Sequence, residues 1–322
     1  MAQQTHTRCI TAALLLSLCT LSHAGLRDRI LEHITESRVS PLVSTATLTI
    51  THNIAYGNDP LQQLDLYQPT AMLNTPRTPK KHPVQAPWIV LVHGGAWQLG
   101  DKRSDDVVTH KVQHWVTQGI VVVSVNYRLL PKADPLSQAH DVAQALAFVQ
   151  KNAASYGLDP SQCVLMGHSS GAHLAALLSV SPTIRQAHTP TPCQAAVLID
   201  SAAMNIPQIM QRRHARFFDA AFGTDPSQWL AMSPVQQMTR QTLPLFTICT
   251  TRHDDSCNQN QQLVDQAITY KVLAQRLTLP VSHAEANELL GLDSPYTAAV
   301  DQFLSKTSTV FQHYLQTPAS TP

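Results

Sequence analysis

The chain has little charge. Only 13% of its 322 residues are Asp, Glu, Lys or Arg, and 22 basic against 21 acidic residues leave a formal net charge of +1. Nothing in that balance supplies the basic patch a nucleic-acid partner would need. The glycine fingerprints that cradle phosphates, G-x-G-x-x-G and G-K-[ST], are missing, so no nucleotide cofactor is expected. Sixteen histidines invite a search for metal ligands. The best pair, His110 and His114, lacks the glutamate of H-E-x-x-H and any evident third ligand, so a solvated helix face is expected and no metal. No internal repeat is visible, and no run beyond the N-terminus reaches the roughly 20 apolar residues that span a bilayer.

The N-terminus is built differently. Arg8 precedes an apolar stretch from Ile10 to Leu21, and Ser22-His23-Ala24 fits a small-residue cleavage site. Residues 1–24 are therefore expected to be a signal peptide, and 25–322 a single exported domain, periplasmic or secreted. A lipidated Cys19 is disfavoured because the residue before it is Leu18. Removal of the signal leaves Cys163, Cys193, Cys249 and Cys257, for which sequence alone permits three full pairings. Cys163 and Cys193 each begin a predicted parallel strand, which puts them within disulfide reach if the strands are neighbours.

Chemistry enters at Gly167-His168-Ser169-Ser170-Gly171. It follows the strand-like Cys163–Met166 and precedes the apolar helical stretch beginning at Ala172. A G-x-S-x-G between strand and helix makes a sharp elbow that exposes the serine hydroxyl, and side chains at the glycines would crowd it. A second motif, His93-Gly94-Gly95-Ala96-Trp97, closes the apolar run Trp88–Val92. Its small residues allow backbone N–H groups to approach a carbonyl oxygen that becomes negative during acyl transfer.

The stretches HGGAWQLGDK (93–102), VNYRLLP (125–131), GHSSGAHLA (167–175) and AFGTDPSQWLAMSP (221–234) resemble α/β-hydrolases of the esterase and lipase type. The resemblance is to the hormone-sensitive-lipase-like and the acetyl- or feruloyl-esterase groups, over roughly residues 50–312. The resemblance implies a mostly parallel eight-stranded sheet with helices on both faces and a small lid. It makes Ser169 the nucleophile and the N–H groups of Gly95, Ala96 and Ser170 the oxyanion hole. Ala96 stands where many relatives carry glycine, and its N–H is retained.

Triad order in this fold is Ser, then Asp or Glu, then His. His283 follows the strand-like Leu277–Val281 and is the expected base. The acid is expected at Asp254, after Leu245–Cys249, with Asp255 next to it and Asp200, ending Ala195–Ile199, as alternatives. His168 is expected to pack beside the nucleophile, His173 to contact the sheet from the helix, and His93 to prop the oxyanion loop.

Alternating strands and helices from residue 88 onward indicate a parallel sheet with covered faces. Before them, Thr49–Tyr56 and Leu64–Tyr67 flank a Gly57-Asn58-Asp59-Pro60 turn as a hairpin. A short helix is expected around Leu31, an exposed proline-rich loop over 72–87, and a loop over 182–193. Helices are expected near 258–275 and 296–314, and a frayed tail from Thr317. A small lid is expected over 201–240, with Trp97 and Trp229 lining a substrate pocket. The reading is a secreted serine carboxylesterase for short or medium acyl esters, without cofactor and of undetermined oligomeric state. A serine peptidase of the same fold and a non-catalytic hydrolase-fold binding protein are the alternatives.

Overall fold

Eight strands join in one sheet in the order β1-β2-β4-β3-β5-β6-β7-β8. They are β1 (Leu48–Ala55), β2 (Gln63–Pro69), β3 (Ala86–Val92), β4 (Val121–Val125), β5 (Leu158–His168), β6 (Ala195–Ile199), β7 (Leu245–Thr250) and β8 (Ala274–Leu279). The computed structural model describes residues 47–74, 85–188, 191–252 and 255–316, all within the compact unit Ser40–Pro322. The expected signal peptide, the helix near Leu31, most of the proline-rich segment before β3 and the tail from Thr317 lie outside the described residues.

β2 pairs antiparallel with β1 and with β4; every pairing from β4 across to β8 is parallel. All residues of β3, β4, β6 and β7 are buried, as expected of strands packed on both faces. Side chains alternate between two cores. Trp88, Val90 and Val92 join the core under helices Pro135–Lys151 and Ser170–Val180; Ile89 and Leu91 join the core under Asp105–Thr117 and Pro295–Thr307. The fold is an open α/β sheet covered on both sides, and its loops at the C-terminal strand ends are where ligands bind in such sheets.

Several boundaries depart from the sequence reading. The last strand is Ala274–Leu279, earlier than the run 277–281, because the preceding helix, Ser256–Thr269, ends sooner than its polar sequence suggested. The expected helix 296–314 is two, broken at Ser308, whose hydroxyl accepts from the N–H groups of Val310 and Phe311. Residues 182–188, expected in a loop, form a helix opened by Pro182; a proline fits a first helical turn, which needs no N–H there. The segment 201–240 holds four short helices, Ile206–Met210, Arg216–Phe222, Pro226–Ala231 and Pro234–Gln237.

Two disulfides form. Cys163–Cys193 joins the region before β6 to β5 with a Cα–Cα distance of 4.7 Å. Cys249–Cys257 ties the end of β7 to the first turn of helix Ser256–Thr269. Among the described residues no helix is long and apolar enough to cross a membrane.

Candidate active site

Backbone strain gathers at one place. Gly95, Ala96, Trp97, Ser169 and Asp200 have φ of 122°, 50°, 61°, 55° and 50°. They follow β3, β5 and β6, three adjacent strands. Left-handed conformations cost a non-glycine residue about 1–3 kcal/mol each and persist where the surroundings impose them.

The elbow shows how they are imposed. Ser169 lies between the end of β5 and helix Ser170–Val180 with ψ of −121°, and its N–H donates to the Ile199 carbonyl at 2.9 Å. A β-carbon at Gly171 would fall 2.2 Å from the Val92 carbonyl oxygen, and one at Gly167 would fall 2.3 Å from the Gly171 carbonyl oxygen. Both glycines are thus required by backbone packed against backbone. Gly94 leaves room for the neighbouring loop, since a β-carbon there would sit 3.1 Å from Ser169 Cβ.

That loop is held from behind. The Tyr127 hydroxyl donates to the His93 carbonyl at 2.8 Å, and the two rings stack at 4.4 Å. Burial keeps His93 below the usual histidine range and neutral, so its Nδ1–H donates to the Gly94 carbonyl at 2.8 Å. The N–H groups of Gln98 and Leu99 donate to the Gly95 carbonyl. The N–H groups of Gly95, Ala96 and Ser170 donate to no protein acceptor among the described residues. They are three preorganised donors beside Ser169.

His283 begins helix His283–Glu288, whose N-terminus is fixed by a capping box of Ser282 and Glu285. Its Nδ1 lies 2.7 Å from Asp200 Oδ2. The carboxylate on the imidazole among the described residues is Asp200, at the end of β6. Asp254 itself lies outside the described residues. Asp255 caps helix Ser256–Thr269, pairs with Arg212, and faces Asn258 and Gln259. Asp200 is fully buried, and the chain meets that burial with donors. Oδ1 accepts from the Thr250 N–H at 2.7 Å and the Ser256 hydroxyl at 2.6 Å; Oδ2 accepts from the Thr250 hydroxyl at 2.9 Å.

His168 packs beside the elbow as expected, and does more. Burial first, then the nearby His283, drive its pKa well below the ordinary value. The neutral ring donates from Nε2 to the His283 carbonyl at 3.0 Å and lies 4.4 Å, ring to ring, from the His283 imidazole. His173 is likewise neutral, with burial holding its pKa near about 4. Its Nδ1 accepts from the Trp97 indole at 3.2 Å while Nε2–H donates to the Met232 carbonyl. His110 and His114 go to separate partners, the Glu288 carbonyl and Asp301.

The two tryptophans differ from a simple pocket lining. Trp97 is 2% exposed, with Phe222, Phe218 and Phe217 at 5.0, 6.0 and 6.4 Å around its ring. It fills the space under helix Arg216–Phe222. Trp229 is half-buried and donates its indole N–H to the Phe222 and Gly223 carbonyls, which closes the end of that helix.

The sheet order, the strand–elbow–helix at Ser169 and the HGG loop after β3 define an α/β-hydrolase. The model of the BD-FAE family matches residues 76–266, and the chain belongs to that family. A probable isoprenylcysteine alpha-carbonyl methylesterase ICME of Oryza sativa subsp. japonica is 34% identical over 127 residues, 39% of this chain and 28% of that protein. Esterase LipQ of Mycobacterium tuberculosis is 30% identical over 175 residues, 51% of this chain and 41% of that protein. The chain thus spans less than half the length of either curated relative. Esterase B from Lactobacillus rhamnosis superposes with a TM-score of 0.66 at 20% identity, covering 91% of this chain and 92% of that one. A truncated carbohydrate esterase from gut microbiota superposes with a TM-score of 0.67 at 19% identity, over 84% and 100%. These two likenesses concern the fold.

Proposed function

We propose that the chain is a serine hydrolase of carboxylic esters, with Ser169, His283 and Asp200 as its triad. The observation that carries this reading is the His283–Asp200 pair set beside a strained serine elbow and three unpaired N–H donors. In this scheme the Ser169 hydroxyl attacks the ester carbonyl and His283 Nε2 takes its proton. The N–H groups of Gly95, Ala96 and Ser170 hold the oxyanion. His283 then protonates the departing alcohol, and water repeats the sequence to release the acid. Asp200 orients the imidazole through Nδ1–H and stabilises the imidazolium. The esterase names of LipQ and of the methylesterase relative support the reaction class.

Short acyl groups suit the site best. The support for this is Trp97 in the oxyanion loop, buried against three phenylalanines. Export remains part of the proposal and is supported by the two disulfides, which persist in oxidising compartments. The test of the reaction class is labelling by a fluorophosphonate probe, with Ser169→Ala as control. Stoichiometric labelling of the folded protein at Ser169 is expected. A folded protein that stays unlabelled overturns the hydrolase reading.

A further inference from the structure

A cluster of positive charge lies in the segment between β6 and β7. Residues 211–216 read Gln-Arg-Arg-His-Ala-Arg, three arginines and a histidine in six residues. Arg212, Arg213 and Arg216 are exposed. Their position follows from the two ends of the segment. Arg212 pairs with Asp255 in the loop after β7. Phe217 and Phe218, directly after Arg216, pack on Trp97 in the loop after β3. Between β3 and β7 the sheet carries only β5 and β6, whose ends hold Ser169 and Asp200. The arginine segment therefore runs from one side of the catalytic strand ends to the other.

The charge is not consumed locally. Two nearby carboxylates are engaged: Asp255 by Arg212, and Asp219 by His214 at 2.9 Å, a contact that raises the histidine pKa. Arg213 and Arg216 have no ion pair among the described residues. Nor does local stability account for Arg216. It stands in the first turn of helix Arg216–Phe222, the end of a helix where a carboxylate is favoured and a cation is not.

We propose that the natural substrates are esters bearing a carboxylate or similar anion near the scissile bond, drawn in and oriented by Arg213 and Arg216. The inference rests on the hydrolase reading for its chemistry, but the recognition step does not depend on turnover. Cations lining one rim raise the local concentration of an anionic ligand and favour its productive orientation, an effect that weakens with salt. Trp97 and the phenylalanines packed on it make the oxyanion-loop side of the site apolar, so the anion belongs on the alcohol side of the ester.

Two aryl acetates, 4-acetoxybenzoate and methyl 4-acetoxybenzoate, differ in that charge, and release of acetate is followed for both. The measured quantity is the ratio of their kcat/KM values in the parent protein and in Arg213→Gln/Arg216→Gln, with thermal unfolding as a check on folding. The ratio of anionic to neutral ester should fall about three- to tenfold in the double variant, as two exposed charge contacts would give. It should also shrink in the parent protein as salt rises from low to high. Binding of the same two esters to Ser169→Ala, read by ligand-observed NMR, separates recognition from chemistry. A preference for the anion that disappears with the two arginines supports the inference even in a protein that turns over neither ester. Equal binding of the two esters, or a preference untouched by the double substitution, overturns it.

Discussion

Among the described residues Asp200 accepts hydrogen bonds from the Thr250 N–H, the Thr250 and Ser256 hydroxyls and the His283 imidazole. Those donors replace the water a buried carboxylate loses and fix which oxygen meets the imidazole. A second buried carboxylate, Asp65, shows the same chemistry used for structure. Its burial pushes the carboxyl pKa up, but hydrogen bonds from Arg103, the Asn53 N–H, His52 and Lys102 outweigh that and bring it to about 2. A pKa depressed in the folded state contributes stability above the unfolded value of 3.8, and that contribution is lost as the pH falls through about 2. Asp65→Asn should cost about 3 kcal/mol at neutral pH, because Lys102 is left buried without its counterion. It should also flatten the dependence of unfolding free energy on pH between about 4 and 2, measured by urea titration at several pH values. An unchanged acid slope would remove Asp65 from the account.

The elbow at Ser169, the loop after β3 and the place of His283 behind the last strand were legible in the sequence because each sits in a local pattern whose geometry is dictated by its neighbours. The acid was legible only as a choice among Asp254, Asp255 and Asp200. Asp200 and Asp254 both follow apolar strand-like runs, and the choice depends on donors from Thr250 and Ser256, more than 40 residues further along the chain. One signal was available: β6 is wholly apolar, and a carboxylate at its end must find partners or a function. The support that His168 gives His283 is equally long-range, linking residues 115 apart in sequence.

At the scale of elements, the site is an agreement between three strand ends. Helix Ser170–Val180 approaches β3 so closely that Gly171 meets the Val92 and His93 carbonyls. Gly171→Ala must therefore push the helix away from the oxyanion loop and shift both Ser169 and the Ser170 N–H. The expected result is a kcat loss of at least 100-fold, the order of one lost oxyanion donor, together with destabilisation of about 1–3 kcal/mol from overpacking. Parent-like kinetics in that variant would mean that the elbow tolerates a side chain and that its geometry is not needed. The elements themselves were largely readable, since apolar runs of strand length alternate with helical stretches. Errors fell where periodicity is silent: Pro182 started a helix rather than a loop, and Ser308 split one helix into two.

Across the whole molecule, the two disulfides fasten the half of the sheet that carries the site. Cys163–Cys193 encloses the nucleophile helix within a sequence separation of 30, and Cys249–Cys257 closes the short loop containing Asp254 with a separation of 8. Cross-links of this kind typically contribute about 2–4 kcal/mol, more for the longer loop. Cys163→Ser/Cys193→Ser should lower Tm by several degrees and more than Cys249→Ser/Cys257→Ser, as read by calorimetry in non-reducing buffer. The reverse order would show that the acid-side loop, and not the nucleophile segment, limits stability. The cysteine pairing was only partly legible: neighbouring strand starts suggested the first bridge, whereas the second depended on where helix Ser256–Thr269 begins.

The central claim, that Asp200 is the acid of the triad, is tested most directly by kcat/KM on 4-nitrophenyl acetate for Asp200→Asn beside Asp254→Asn. Asn preserves the size of the side chain while removing the charge that orients and stabilises the imidazolium. The account predicts a loss of about 10⁴-fold for Asp200→Asn and less than tenfold for Asp254→Asn. A large loss confined to Asp254→Asn would contradict it.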